Sequence, residues 1–393
     1  MKTVLAGGAV LDVASGDVRD LDVVMEGTHI VELGRDLRAD TIVPCHGNLI
    51  VPGFIDCHSH VALGEQLGNP AANRLPRSAL ALSVVPVLQT LMSLGITTVR
   101  DAWGADAGIR LALERGWIAG PDLRISLRQL STTGGIGDHW SPQLGSAGAW
   151  PDPSLPDPVF DGPDGARAAV RRMVRAGADW IKVAATGSLS QGARAHDVLL
   201  TAAEMEAIVD EAARQGGRRV MVHAHGSRAA ELAAQSGARS IEHGIWLNAQ
   251  AVDTMARSGT WFVPTLSVTQ TPSDHPVPGA AEAHRRAVRL ALDAGVDIAM
   301  GTDSPVRPFS AAPRELEYLD AAGLGAGRAF RAATLDAARL LSVDADRGEV
   351  VAGKRADLIV LRGRHVDTKH LATRVVSVWH NGRRVESNPE GSR

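Results

Sequence analysis

Cysteine is scarce in this chain. Its 393 residues include only Cys45 and Cys57. Two are too few for a disulfide framework, so a reducing, cytoplasmic setting is expected. Aromatic residues make up 4% of the chain, with a single tyrosine, which leaves little with which to stack the bases of a single-stranded nucleic acid. Neither sign of charge dominates: 41 Lys and Arg stand against 44 Asp and Glu, a net of −3. That balance offers no basic face for nucleic acid or an anionic membrane. No apolar run is long enough to span a bilayer. The stretch from Met1 to Val10 has a short apolar run without a cleavage-site pattern, and it reads as a strand, not a signal peptide. What remains is a globular composition, 45% hydrophobic and 22% charged, long enough for a large core or more than one domain. A small-molecule substrate is the expected partner, and a homo-oligomer is compatible with this composition.

The texture of the chain changes twice. Residues 1–50 alternate short apolar runs with Gly, Asp and Ser turn signals, a β pattern. From 51 to about 344, short β-branched runs alternate with alanine-rich amphipathic segments. Strands are expected at 49–57, 96–100, 123–127, 180–184, 219–223, 240–242, 261–264 and 297–301, and helices at 77–94, 165–176, 202–214, 228–236 and 281–294. Eight strands alternating with helices predict an α/β fold, a closed (β/α)8 TIM-like barrel. The alternative, an open doubly wound sheet, lacks a Gly-x-Gly-x-x-Gly after the first strand. From 345 to 393 the pattern is β again, so the two chain ends are expected to pair as one small β-sandwich. Residues 131–161, rich in Gly, Pro, Ser and Trp, are too long for an ordinary connection and are expected to cover the barrel mouth.

Candidate chemistry gathers at the ends of the apolar runs. His58 and His60 lie two residues apart on a strand and so share a face, where both imidazoles can reach one ion. Taken alone, the pair is equally what a polar strand end would show. Lys182 sits inside Trp180-Ile181-Lys182-Val183-Ala184. Either it snorkels to water, or burial lowers its pKa and leaves a neutral, nucleophilic amine able to take up carbon dioxide as a two-oxygen carbamate ligand. His223 and His225 end the next strand, and His243 follows in Glu242-His243-Gly244. Asp303, just past the last expected strand, falls on the catalytic rim of such a barrel.

In that order, His58-Ser59-His60, Lys182, His223, Glu242-His243-Gly244 and Gly301-Thr302-Asp303 resemble the metal-dependent amidohydrolase superfamily over nearly the whole chain. Its imidazolonepropionase-like branch, with Xaa-Pro dipeptidases and ochratoxin-hydrolysing amidases, is the nearest in pattern. The resemblance implies two divalent ions, with zinc expected. His58, His60 and Asp303 would hold the more buried ion, His223 and His243 the second, and N-carboxylated Lys182 would bridge them. Two cations about 3.5–4 Å apart lower the pKa of a shared water and polarise a carbonyl. Asp303 would then serve as general base and acid, and His225 would face the substrate. The expected reaction is hydrolysis of an amide-type C–N bond. Where the branch carries a loop histidine this chain has Ile136; His139 is the candidate replacement, and Arg228 and Arg194 are candidates for a substrate carboxylate. Two other readings stand beside this one. A mononuclear deaminase or cyclic-amide hydrolase would use the same barrel, although Glu231 lies too far along a helix for the deaminase pattern. A non-catalytic scaffold should have lost ligands.

Overall fold

The computed structural model describes residues 1–63, 76–138, 140–143, 145–146, 154–189, 195–271 and 277–386. Seven strands open the chain: β1 (Lys2–Ala6), β2 (Ala9–Leu11), β3 (Val18–Asp20), β4 (Asp22–Glu26), β5 (His29–Gly34), β6 (Thr41–Pro44) and β7 (Asn48–Pro52). Then come β8 (Phe54–Ser59), β9 (Ile96–Asp101), β10 (Asp122–Ile125), β11 (Gln129–Leu130) and a small hairpin, β12 (Trp140–Ser141) with β13 (Gly145–Ser146). They are followed by β14 (Trp180–Ala184), β15 (Arg219–Gly226), β16 (Ser240–Trp246) and β17 (Trp261–Val263), and near the end by β18 (Leu358–Arg362), β19 (Val375–His380) and β20 (Arg383–Arg384).

The chain ends do associate. One sheet runs β5-β4-β1-β6 and a second β20-β19-β18-β7-β2-β3. In the second, β18 pairs antiparallel with β7, joining residues about three hundred positions apart, Leu358 opposite Pro52 and Ile359 opposite Val51. Leu5, Val23, Met25 and Ile30 from one sheet share an apolar cluster with Val10, Ile50, Leu358 and Val360 from the other.

The expected strand at 49–57 is two strands. The break falls at Gly53, whose N–H donates to Asp357 O at 2.7 Å, and where a Cβ would stand 2.3 Å from Thr97 Oγ1. The chain leaves the terminal sheet there and enters the parallel one. Parallel pairing gives two runs, β10-β9-β8 and β11-β14-β15-β16-β17. Residues 126–128, with Leu127 at φ +67°, interrupt one extended stretch, so that β10 bonds β9 while β11 bonds β14. On the other side, residues 297–301 are not the regular strand expected. Ala299 N donates to Phe262 O at 3.0 Å and Cys57 N to Met300 O at 2.9 Å, so this segment lies between β17 and β8. A Cβ on Gly301 would meet Val263 Cγ1 at 2.4 Å and His58 Cβ at 2.8 Å, a crowding that explains glycine there.

Helices Arg77–Ser93, Gly162–Arg175, Ala202–Arg214, Ser227–Gln235 and Ala280–Asp293 form at the positions expected from the sequence, the last four with a clear apolar face. The sharpest start is Thr201, whose hydroxyl accepts from Glu204 N while the Glu204 carboxylate reaches back to Thr201 N, a capping box. Among the described residues no helix is long and apolar enough to cross a membrane.

An ion network ties the two parts together at the start of β10. Asp122 accepts from Arg347 at 2.7 Å and from Arg355, and Arg347 also donates to Thr98 Oγ1 at 2.8 Å. Burial works against the Asp122 charge, but Arg347 and Arg355 hold its carboxyl down at about 2. A depressed acid pKa contributes stability above the unfolded value and loses it as pH falls through the folded one. Asp122→Asn should therefore cost about 2 kcal/mol at pH 7, a difference that shrinks as pH falls from about 4 towards about 2. Urea unfolding of both proteins across that window checks it.

Candidate metal centre

Six side chains named from the sequence meet in one buried cluster. His58 and His60 come from the end of β8, Lys182 from β14, His223 from β15, His243 from β16 and Asp303 from the segment after 297–301; none is more than 8% exposed. The ligand atoms of His58, His243 and Asp303 lie within 4.8 Å of one another, a group that could hold a metal ion.

Backbone conformation brings these groups together. His243 and Asp303 adopt φ of +71° and +56°, and Thr265 beside them +53°. Left-handed backbone is unfavourable for residues with a Cβ and persists where the surroundings impose it, often at functional sites. In a regular strand Glu242 and His243 would face opposite sides. With the alternation broken, Glu242 bonds His58 Nδ1 at 2.6 Å while the His243 ring lies 4.8 Å from the same His58 ring.

The second bond of each imidazole decides which nitrogen looks inward. His60 Nδ1 must donate to Trp103 O at 3.1 Å, because a carbonyl can only accept. In the neutral ring its Nε2 then carries a lone pair, 3.0 Å from Asp303 Oδ1; in the protonated ring it donates there. His58 Nδ1 donates to Glu242, leaving Nε2 as an acceptor 3.2 Å from the same Asp303 oxygen and 3.5 Å from Lys182 Nζ. His243 Nδ1 pairs with Thr265 Oγ1 at 2.8 Å. His223 is turned the other way: its Nε2 donates to Gly187 O at 3.2 Å, freeing Nδ1. Lone pairs of two imidazoles and a carboxylate thus converge, and such a set requires a shared positive charge, a proton or a cation.

Electrostatics agree with that reading. Burial, reinforced by Lys182, holds His223 down at about 3, and burial keeps His243 well below the ordinary histidine value. His60 goes the other way: burial lowers its pKa, but the direct bond to Asp303 more than offsets that. Burial alone would raise Asp303, yet His243, His58 and His60 around it hold the carboxyl well below its usual range. Burial brings Lys182 down to about 8, against the pull of Glu242 and Asp303. The neutral imidazoles of His223 and His243, an ionised carboxylate and a weakly basic amine are donors that suit a divalent cation.

His225 is 2% exposed, and neither ring nitrogen has a partner among the described residues. Its ring lies 4.5 Å from that of His223 and 5.2 Å from that of His243. Ile136 is half-buried in the turn after β11. Arg228 is exposed on the first turn of the helix Ser227–Gln235, outside the cluster. His139 and Arg194 lie outside the described residues. The long stretch from 131 is tied at its base, where Ser131 bridges Val159 and Thr133 donates to both carboxylate oxygens of Asp161.

Sequence reasoning missed the support behind His58. Arg100 is fully buried; it donates to both Glu242 oxygens, at 2.9 and 3.1 Å, and to Cys57 O at 2.6 Å, and lies 4.6 Å from the Trp180 ring. Burial works against the Glu242 charge, but Arg100 and His58 hold its carboxyl at about 2. The clue was available: a charged residue within an apolar strand, the same anomaly that drew attention to Lys182.

The model of the Amidohydrolase family matches residues 49–385, and the chain belongs to that family, a hydrolytic enzyme acting on carbon–nitrogen bonds. The ochratoxinase of Aspergillus niger is 30% identical over 364 residues, covering 85% of this chain and 75% of that protein. Its crystal structure superposes with a TM-score of 0.84 at 25% identity, covering 100% of this chain and 99% of that one. A prolidase solved with N-methylphosphonate-L-proline superposes with a TM-score of 0.87 at 31% identity over 98% of this chain and 100% of its own. The imidazolonepropionase of Rhizobium meliloti (strain 1021) is 25% identical over 384 residues, 88% of this chain and 86% of that protein.

Glu242→Gln removes the charge that balances Arg100 and fixes the His58 tautomer. Metal affinity should fall about 10–100-fold, read by calorimetric titration of divalent ion, with a lowered melting temperature from the unpaired buried cation.

Proposed function

We propose that this chain is a cytoplasmic, binuclear metal-dependent hydrolase of a small amide, such as an N-acyl amino acid or a dipeptide. The observation that carries it is the convergence of His58 Nε2, His60 Nε2 and Asp303 Oδ1 beside Lys182. In this reading the parallel strands β8–β11 and β14–β17, with residues 297–301, are one (β/α)8 barrel over 51–344, and the ends 1–50 and 345–393 are one β-sandwich. His58, His60 and Asp303 would hold one divalent ion and His223 and His243 a second, zinc by choice of donors. Lys182, with its pKa near 8, has enough free amine near neutrality to add carbon dioxide; the amine attacks the carbon, loses a proton and becomes a carbamate that joins the two positions. When bound, such ions lower the pKa of water and polarise a carbonyl.

The chain's own part in the reaction is positioning and proton movement. Asp303 is the one carboxylate at the centre of the cluster. It can accept a proton from attacking water and pass it to the departing nitrogen, since general acid and base roles fall to one group in the two half-steps. The Nε2 atoms of His58 and His60, 3.2 and 3.0 Å from its Oδ1, flank it. His225, with both nitrogens unpartnered, has the bonding capacity to hold the substrate's carbonyl or amide. Arg228 and Arg194 are the proposed contacts for a substrate carboxylate, and Ile136, in place of a loop histidine, would favour a more apolar substrate end.

One observation favours a second reading, single-ion hydrolysis of a cyclic amide: His58, His243 and Asp303 by themselves form a group that could hold one ion. A deaminase is less well supported, because Glu231 accepts from Gln250 Nε2 at 3.0 Å, on the outer helices. Metal content per subunit, with a screen of N-acyl amino acids, dipeptides and lactams, separates the readings.

Lys182→Ala should retain at most one ion and lose nearly all activity; two ions and full activity in that variant would remove the bridge. Asp303→Asn keeps an oxygen donor but cannot carry a proton. It should keep the fold and lose kcat by about 10²–10⁴-fold or more. Its kcat and metal content are measured together, and a near-normal kcat would take Asp303 out of the proton path.

A further inference from the structure

A line of rings leads out of the cluster. The His225 ring, 5.2 Å from that of His243, lies 6.0 Å from the Trp246 ring, edge to face. Trp246 in turn stacks on His196, with centroids 4.3 Å apart and planes inclined by 44°. Exposure rises along the line: His225 is buried, Trp246 half-buried, and His196 exposed. Trp246 is the last residue of β16, at its C-terminal end, where a register shift sets it opposite Gly226. His196 comes from the connection after β14, the strand that carries Lys182. Two different connections therefore meet ring against ring, tilted, beside an imidazole whose two nitrogens have no partner among the described residues. A half-buried indole with an imidazole against it presents an apolar ring with a polar N–H edge, which fits a planar group attached to a carbonyl or carboxylate.

We infer that Trp246, with His196 packed on it, is a specificity wall that binds a flat, aromatic part of the substrate next to the scissile amide, while His225 contacts the amide itself. This rests on the reading of the chain as an amide hydrolase and names its substrate class: amides with an aromatic group adjacent to the bond. Trp246 would act on binding, and so on KM; His196 would set the orientation of the indole.

The test compares N-acetylglycine with two aromatic probes, N-benzoylglycine and N-acetylphenylalanine, on the metal-loaded enzyme. At least one aromatic probe should be preferred by about 10-fold or more in kcat/KM, the scale on which a pocket separates apolar groups. Trp246→Ala should abolish that preference, mainly through KM, and leave N-acetylglycine within about threefold; Trp246→Phe should restore most of it. His196→Ala, at an exposed position, should lose part of it. Equal losses on aromatic and acetyl substrates would overturn the wall, as would an unchanged preference in Trp246→Ala. Calorimetric binding of benzoate against acetate reads the same preference without turnover. If the wild-type protein hydrolyses none of the three compounds yet binds benzoate more tightly, and Trp246→Phe keeps that difference while Trp246→Ala loses it, the amide-hydrolase reading fails and the wall stands. No preference in the wild-type protein by either measure overturns the wall.

Discussion

The buried contact between Arg100, Glu242 and His58 is the constraint on which the candidate centre depends. A carboxylate taken out of water is costly unless it is paired and hydrogen-bonded. Glu242 is paired: it accepts from Arg100 through both oxygens and also bonds Ser240 and His58. Arg100 is in turn anchored to Cys57 O, on the strand that carries His58. One ion pair therefore links β8, β9 and β16 and fixes the side of the His58 ring that faces Asp303. Its effect on function passes through orientation, since neither charged partner is a donor to the converging lone pairs.

Strain at the site and close packing behind it have the same origin. Left-handed backbone at His243 and Asp303 breaks the alternation of strand side chains and turns donors inward that a regular strand would send outward. Such conformations survive only where neighbours hold them. Glycine at 301 lets the last segment pack against His58 and Val263, and His284 bonds the carbonyl of His243 at 2.7 Å. The terminal sheets bear on the other end of the strands. Asp122, at the start of β10, is gripped by Arg347 and Arg355 from the C-terminal part of the chain, whereas His58 lies near the C-terminal end of β8 and Asp303 just past residues 297–301. The contacts with the terminal sheets and the candidate donors are thus set apart along the parallel strands.

Much of this was legible in the sequence, for identifiable reasons. Strand periodicity of two puts His58 and His60 on one face, and a lysine or a histidine inside an apolar run is an anomaly that composition makes visible. Helix bounds at Ala202–Arg214 follow from apolar periodicity and from a capping box. The sequence by itself thus determined the chemical inventory, the order of the elements and the candidate donors, because those depend on local pattern. Only the tertiary structure decided the rest: the break at Gly53, the inward nitrogen of each imidazole, the pairing of Arg100 with Glu242, and the meeting of Trp246 with His196. Each depends on a contact between residues far apart in the chain. A histidine has the same letter whichever nitrogen it turns to a partner, and only the neighbour that takes its other proton chooses between them.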